Sequence, residues 1–223
     1  MGRGGPVHVD VRRPSVTLAT ILSATAGVLA AAQPGCVLAF GDSLTAGGLG
    51  SVPYTEQLSW LLRAPVETAG VWGETTAPMR SRLAVRLGRN KTLSLRPPSC
   101  RPWLLLLLGG TNDLADVPAD ETLANLCAMH DMAAEHGAIV GVLEIPVATH
   151  ENLQGLPLMR REFVNAELWR RQAQYPYPSF MVNLSVVSAR HLYDGIHFTT
   201  EGYAVFASAV FEALRHFLLA RGP

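Results

Sequence analysis

Four short stretches of this 223-residue chain set a reactive side chain beside glycine or a second polar group. They are Gly41-Asp42-Ser43-Leu44-Thr45-Ala46-Gly47, Gly70-Val71-Trp72-Gly73-Glu74-Thr75, Gly109-Gly110-Thr111-Asn112-Asp113 and Tyr193-Asp194-Gly195-Ile196-His197. Between them they hold a hydroxyl, a glycine N–H, an amide, and a carboxylate three residues from an imidazole. A serine hydroxyl is a poor nucleophile unless a base takes its proton. The Asp194–His197 spacing lets one turn bring the carboxylate to the imidazole Nδ1 and fix its tautomer, so the other nitrogen is free for the Ser43 proton. Gly73 has no side chain to block the approach and can aim its N–H at a developing oxyanion. The Asn112 amide and the Ser43 N–H supply two further donors to the same oxygen. These are the parts of a serine acyl-transfer site. The competing local reading makes Ser43 a helix N-cap after a strand, with Asp42 holding the turn.

Groups this far apart in sequence must be gathered by a scaffold. Short apolar runs at Cys36–Phe40, Val66–Val71, Trp103–Leu108, Ala138–Ile145 and Phe180–Leu184 read as buried parallel strands. Helical patterns near Tyr54–Leu62, Thr76–Leu87, Glu121–His136, Leu158–Gln174 and Thr200–Leu219 alternate with them. The last carries Tyr203, Val205, Phe206, Val210, Leu214 and Phe217 on one stripe. Alternation with right-handed crossovers predicts a three-layer α/β domain. In such a sheet ligands bind beyond the carboxyl ends of the strands, where three of the four reactive stretches fall. The basic, Pro-containing stretch Asn90–Pro102 reads as a surface loop, and no linker past residue 35 suggests a second domain.

Composition excludes several classes. Eighteen basic and 18 acidic residues cancel, which argues against nucleic acid or a polybasic membrane patch as partner. Mean hydropathy is +0.19, and most of that positive total comes from the uncharged tract Val16–Ala32, preceded by Arg3, Arg12 and Arg13. A basic segment, an apolar run and a closing Ala30-Ala31-Ala32 read as a secretory signal peptide over residues 1–32, with 33–223 as the working domain. Secretion or a periplasmic location is therefore expected. A membrane anchor or a cytoplasmic N-terminal extension is the alternative. Cys36, Cys100 and Cys127 are too few for a disulfide scaffold, though one pair could oxidise after export. Asp42, Asp113 and Asp116 lack metal-ligand spacing. His130 and His136 fall on one helix and His216 near the end of another, as polar-face or C-terminal residues. His191 reads as a loop residue and His150 as bordering the pocket. Arg160-Arg161 and Arg170-Arg171 read as solvated helix faces. Asn90 and Asn183 match glycosylation sequons, the second inside an expected strand.

In its four blocks, taken in order, the chain resembles the GDSL, or SGNH, hydrolase family: Gly-Asp-Ser-Leu at Ser43, a glycine block at Gly73, Gly-Gly-Thr-Asn-Asp at Asn112, and Asp-Gly-Ile-His at Asp194 and His197. The resemblance runs from about Val37 to Phe217. It implies a flavodoxin-like sheet of five parallel strands. It further implies Ser43 as nucleophile, His197 as general base, Asp194 as its orienter, and Ser43, Gly73 and Asn112 as the oxyanion hole. Members hydrolyse carboxylic esters, thioesters or acetylated sugars without a metal or other cofactor. Glu74 stands where many members carry Asp or Ala. No Gly-x-Ser-x-Gly elbow points to the other common hydrolase fold. The expected partner is a small-molecule ester: an acyl ester, a lysophospholipid or an acetyl ester. Oligomeric state is not legible. Trp72 and His150 are the expected substrate contacts, and Trp72, Met79, Leu153, Leu156 and Leu158 would line an apolar pocket. A non-catalytic flavodoxin-like binding module, or a silent family member, is the alternative.

Overall fold

The structure is a computed structural model that describes residues 35–48, 50–88, 101–148 and 155–221. In chain order it runs β1 (Cys36–Gly41), α1 (Ser43–Ala46), α2 (Tyr54–Leu62), β2 (Val66–Gly70), α3 (Thr76–Arg86), β3 (Pro102–Leu108), a 3-10 turn at Thr111–Asp113, α4 (Ala119–Glu135), β4 (Ile139–Leu143), α5 (Gly155–Gln172), β5 (Ser179–Val182), a second 3-10 turn at Ala189–His191 and α6 (Thr200–Arg221). The five strands are all parallel in the order β2-β1-β3-β4-β5. That is the flavodoxin-like order, whose switch point lies between β1 and β3.

The strands at the centre are apolar throughout because both of their faces are covered. Val37 and Ala39 of β1, with Leu104, Leu106 and Leu108 of β3, enter one core with α2 and α6. Leu38 and Phe40, with Leu105 and Leu107, enter the other with α3, α4 and α5. Period-two alternation thus survives, but both phases are hydrophobic. In α6, Tyr203, Phe206, Val210 and Leu214 are buried, and Tyr54 of α2 stacks on Phe206 at 4.0 Å. The edge strands depart from the expectation of full burial: every residue of β2 is partly or fully exposed and β5 alternates, since an edge has a neighbour on one side only.

Several polar residues stand elsewhere than expected. His130 is buried, with Nδ1 3.0 Å from the Tyr175 hydroxyl, and His191 is buried in the 3-10 turn, where it completes a capping box with Ser188. Arg160 and Arg161 are half-buried and do not form a free solvated face. Arg160 donates to the carbonyls of Leu114 and Ala115, and Arg161 to those of Ile145 and Pro146. They stitch α5 to loops at the strand ends. Arg170 and Arg171 do lie on the surface, paired with Glu167. Asn183 is exposed one residue past β5. Cys36 is disulfide-bonded while Cys127 keeps a free, buried thiol. Cys100, Asn90, residues 1–32, His150 and Leu153 lie outside the described residues.

Two buried groups pull stability in opposite directions with pH. Burial raises the Asp42 carboxyl from 3.8 to about 7, partly offset by the Leu44 N–H and reinforced by the nearby Asp113 and Glu74 charges. Burial lowers the His130 imidazole from 6.5 to about 3. Between pH 4 and 7 the folded chain keeps an Asp42 proton that the unfolded chain has lost, so this group reduces stability as pH rises. Between pH 6.5 and 3 the unfolded chain protonates His130 and the folded chain does not, so this group reduces stability as pH falls. Each slope is about 1.4 kcal/mol per pH unit, and they offset one another between about pH 4 and 6.5. Relative to wild type, Asp42→Asn should therefore gain about 3 kcal/mol on going from pH 4.5 to 7.5. His130→Gln should gain relative to wild type in the reverse direction, from pH 6.5 down to 4. Urea midpoints measured across this range test both, and a pH-independent difference for either variant would remove that group from the account.

Candidate active site

The turn that ends β1 presents the serine. Asp42, with extended backbone, is the N-cap of α1, and its side chain accepts from the Leu44 N–H at 2.9 Å. The cap is thus Asp42, and the Ser43 hydroxyl is left for other work. The turn must lie flat on β2: a Cβ at Gly70 would meet the Ala46 nitrogen at 2.2 Å and the Asp42 carbonyl at 2.6 Å. From the opposite end of the chain, the segment before α6 supplies the base. His197 Nε2 stands 3.0 Å from Ser43 Oγ, across 154 residues. Its Nδ1 is 2.7 Å from Asp194 Oδ2. The other Asp194 oxygen accepts from the backbone N–H groups of Ile196 and His197 at 3.0 and 2.7 Å. Burial raises the Asp194 carboxyl, but the hydrogen bonds from His197 and Ile196 outweigh it and hold the group below its ordinary value. Asp194 is therefore an anion at neutral pH, and it dictates a proton on Nδ1. Two aromatic rings flank the imidazole: Trp72 at 4.9 Å between centroids and Tyr193 at 5.9 Å, both near parallel to it.

The loop after β2 carries Gly73 at φ +70°. No atom lies within 4 Å of the place where its Cβ would be, so on the protein side the need for glycine is the left-handed backbone. Glu74 follows, its carboxylate gripped by the Arg82 guanidinium at 2.6–3.1 Å, and its carbonyl accepts from the Asn112 side-chain amide at 3.0 Å. One Asn112 N–H is thereby fixed, which leaves the second to point elsewhere. Asp113 secures this joint. Its buried carboxylate takes the Thr76 N–H on both oxygens, at 3.1 and 3.0 Å, and the Thr76 hydroxyl at 2.5 Å. It sits at the positive end of α3 and ties that helix to the Asn112 turn. Neither the Ser43 nor the Gly73 N–H has a hydrogen-bond partner among the described residues.

Comparison with known proteins shows the family and the fold. The sequence profile of the GDSL-like lipase/acylhydrolase family matches residues 39–205, three-quarters of the chain. The chain belongs to that family. No curated protein matches it, but solved structures share its fold. A GDSL-like lipase from Bacteroides thetaiotaomicron is 19% identical, covering 89% of this chain and 98% of its own, with a TM-score of 0.61. The structure of TesA is 21% identical over 82% and 99%, TM-score 0.64. The esterase EstA from Pseudoalteromonas sp., inhibited by monoethylphosphonate, is 17% identical over 83% and 100%, TM-score 0.62. This GDSL-like acylhydrolase is a hydrolase of ester bonds.

Within this acylhydrolase the fold joins Ser43, His197 and Asp194 in one hydrogen-bonded chain and couples Asn112 to the Gly73–Glu74 loop. Trp72 is half-exposed on the base and packs against Gly48. Met79 does not line a pocket: it is fully buried against Gly109, because α3 turns that face inward. Leu156 is exposed, and Leu158 packs partly on the core. Sequence reasoning missed Arg82, Asp113 and Tyr193 as parts of the site. Arg82 had no local signal, since its partners lie on other segments, whereas Asp113 closes the Gly-Gly-Thr-Asn-Asp block and only its partner, Thr76, was hidden. Tyr193 adjoins the Asp-Gly-Ile-His block and could have been flagged as an aromatic beside a base.

Proposed function

We propose that this protein is a serine esterase that cleaves carboxylic esters through an acyl-enzyme, with Ser43 as nucleophile, His197 as base and Asp194 as its orienter. The carrying observation is the 3.0 Å contact between Ser43 Oγ and His197 Nε2, continued to Asp194. Ser43 Oγ attacks the ester carbonyl while Nε2 takes its proton. The oxyanion is held by the N–H groups of Ser43 and Gly73 and by the free amide hydrogen of Asn112. His197 then gives its proton to the leaving alcohol. Water, activated by the same imidazole, attacks the acyl-enzyme and releases the acid. Trp72, with exposed Val71 and Tyr193 beside it, favours an apolar acyl or alcohol group at the mouth, and His150 is a second substrate contact in this reading. The domain responsible is 33–223. Export behind residues 1–32 fits the disulfide at Cys36, a bond that persists in oxidising compartments.

Incubation with a fluorophosphonate tests the assignment without knowledge of the natural ester. One adduct per chain, mapped to the peptide holding Ser43, is the expected result. A protein that turns over p-nitrophenyl esters yet carries the adduct on another residue, or none, would overturn it.

A further inference from the structure

We propose that Arg82 is a positioning residue for the oxyanion donors, acting through Glu74 and through the carbonyls of Gly41 and Ala69; the proposal rests on the roles given above to Ser43, Gly73 and Asn112. The guanidinium reaches three segments at once. Nε and Nη2 hold the Glu74 carboxylate, Nη1 holds the Ala69 carbonyl at 3.0 Å and Nη2 the Gly41 carbonyl at 3.0 Å. Its Cζ lies 3.9 Å from the centroid of the Phe40 ring. Two of these segments lead to the three donors. Gly41 is two residues before Ser43, Glu74 adjoins Gly73, and the Glu74 carbonyl carries the Asn112 amide. The pair is largely screened from water, with the Glu74 side chain 10% and that of Arg82 27% exposed.

A structural tie of this kind matters to catalysis because the donors are useful only where the oxyanion forms. Displacement by a fraction of an ångström weakens hydrogen bonds that strengthen in the transition state and leaves substrate binding largely unchanged. A planar fork can serve four acceptors at the ends of two strands, β1 and β2, in a fixed geometry. The compact ammonium of lysine lacks that planar fork. The arrangement also accounts for a carboxylate at position 74: it anchors the loop that carries Gly73 to Arg82.

The test is a comparison of kcat and KM on p-nitrophenyl acetate, with active sites counted by end-point fluorophosphonate labelling. Arg82→Gln and Glu74→Gln should each lower kcat per site by about 10- to 100-fold, a fraction of what losing a whole donor does. KM should stay within about threefold. Arg82→Lys should not restore the rate. The losses from Glu74→Gln and Asn112→Ala should fall well short of multiplying in the double variant, because both act on one amide. An unchanged kcat per labelled site with only a lower melting temperature would make the clamp purely structural and overturn the proposal, as would full multiplication of the two losses. Should Arg82→Gln fail to fold, the near-isosteric Glu74→Gln carries the same test. A wild type that neither labels nor turns over would overturn the serine assignment. A wild type that does both, beside an undiminished Glu74→Gln, would overturn the clamp alone.

Discussion

Ser43→Ala and His197→Ala should each reduce ester turnover by about 10⁴–10⁶-fold, and the double variant should be no slower than the worse single one. The reason is that proton transfer and attack are one event here. Without the hydroxyl there is nothing for Nε2 to deprotonate, and without the imidazole the hydroxyl 3.0 Å away stays protonated. Ser43→Ala should leave stability nearly unchanged, because the helix it opens is capped by Asp42 and not by Ser43. The residual rate reflects binding and the oxyanion donors alone. Stopped and steady-state assays on p-nitrophenyl acetate and butyrate supply the check, with circular dichroism to establish folding. Turnover by either variant within tenfold of wild type would sink the assignment.

The contrast between these residues and Arg82 shows which parts of the site a sequence exposes. Ser43, Gly73, Asn112, Asp194 and His197 sit at strand ends or beside a helix start, in short blocks whose internal spacing is itself the chemistry. Asp194 and His197 meet because they are three residues apart, and the structure keeps that relation. The central strands were legible for a similar reason: Leu104 to Leu108 can only be buried on two faces. What stayed hidden depends on two or more segments meeting. Arg82 follows Glu74 by eight residues on an ordinary helical pattern, and nothing local shows that its guanidinium also reaches Gly41 and Ala69. Met79 could have faced a pocket or the core until the phase of α3 against β3 was fixed. Arg160 and Arg161 resembled a solvated pair because their acceptors, four backbone carbonyls, carry no residue-type signal. His130 seemed polar-facing because its helix contains enough apolar residues to bury more than one side.

Asp194→Asn should cost about 10⁴ in kcat, and more than Asp194→Ala, an inversion of the usual ranking by similarity. The cause lies in how this carboxylate is held. One of its oxygens accepts two backbone N–H groups, from Ile196 and His197, so an asparagine must set its carbonyl oxygen there. Its NH₂ then faces the imidazole and donates to Nδ1. That moves the ring proton to Nε2, the nitrogen that must accept from Ser43. The base is thus present, correctly placed and in the wrong tautomer. In Asp194→Ala nothing enforces that tautomer. The carboxylate site is open to solvent, with the aspartate side chain 40% exposed, so a water can take its place and accept from Nδ1. Measuring kcat for both variants on one p-nitrophenyl ester decides the order, and imidazole ¹⁵N shifts of His197 report the tautomer directly. An asparagine variant faster than the alanine one, with Nδ1 still protonated, would show that Asp194 acts by its charge alone and not by choosing which nitrogen holds the proton.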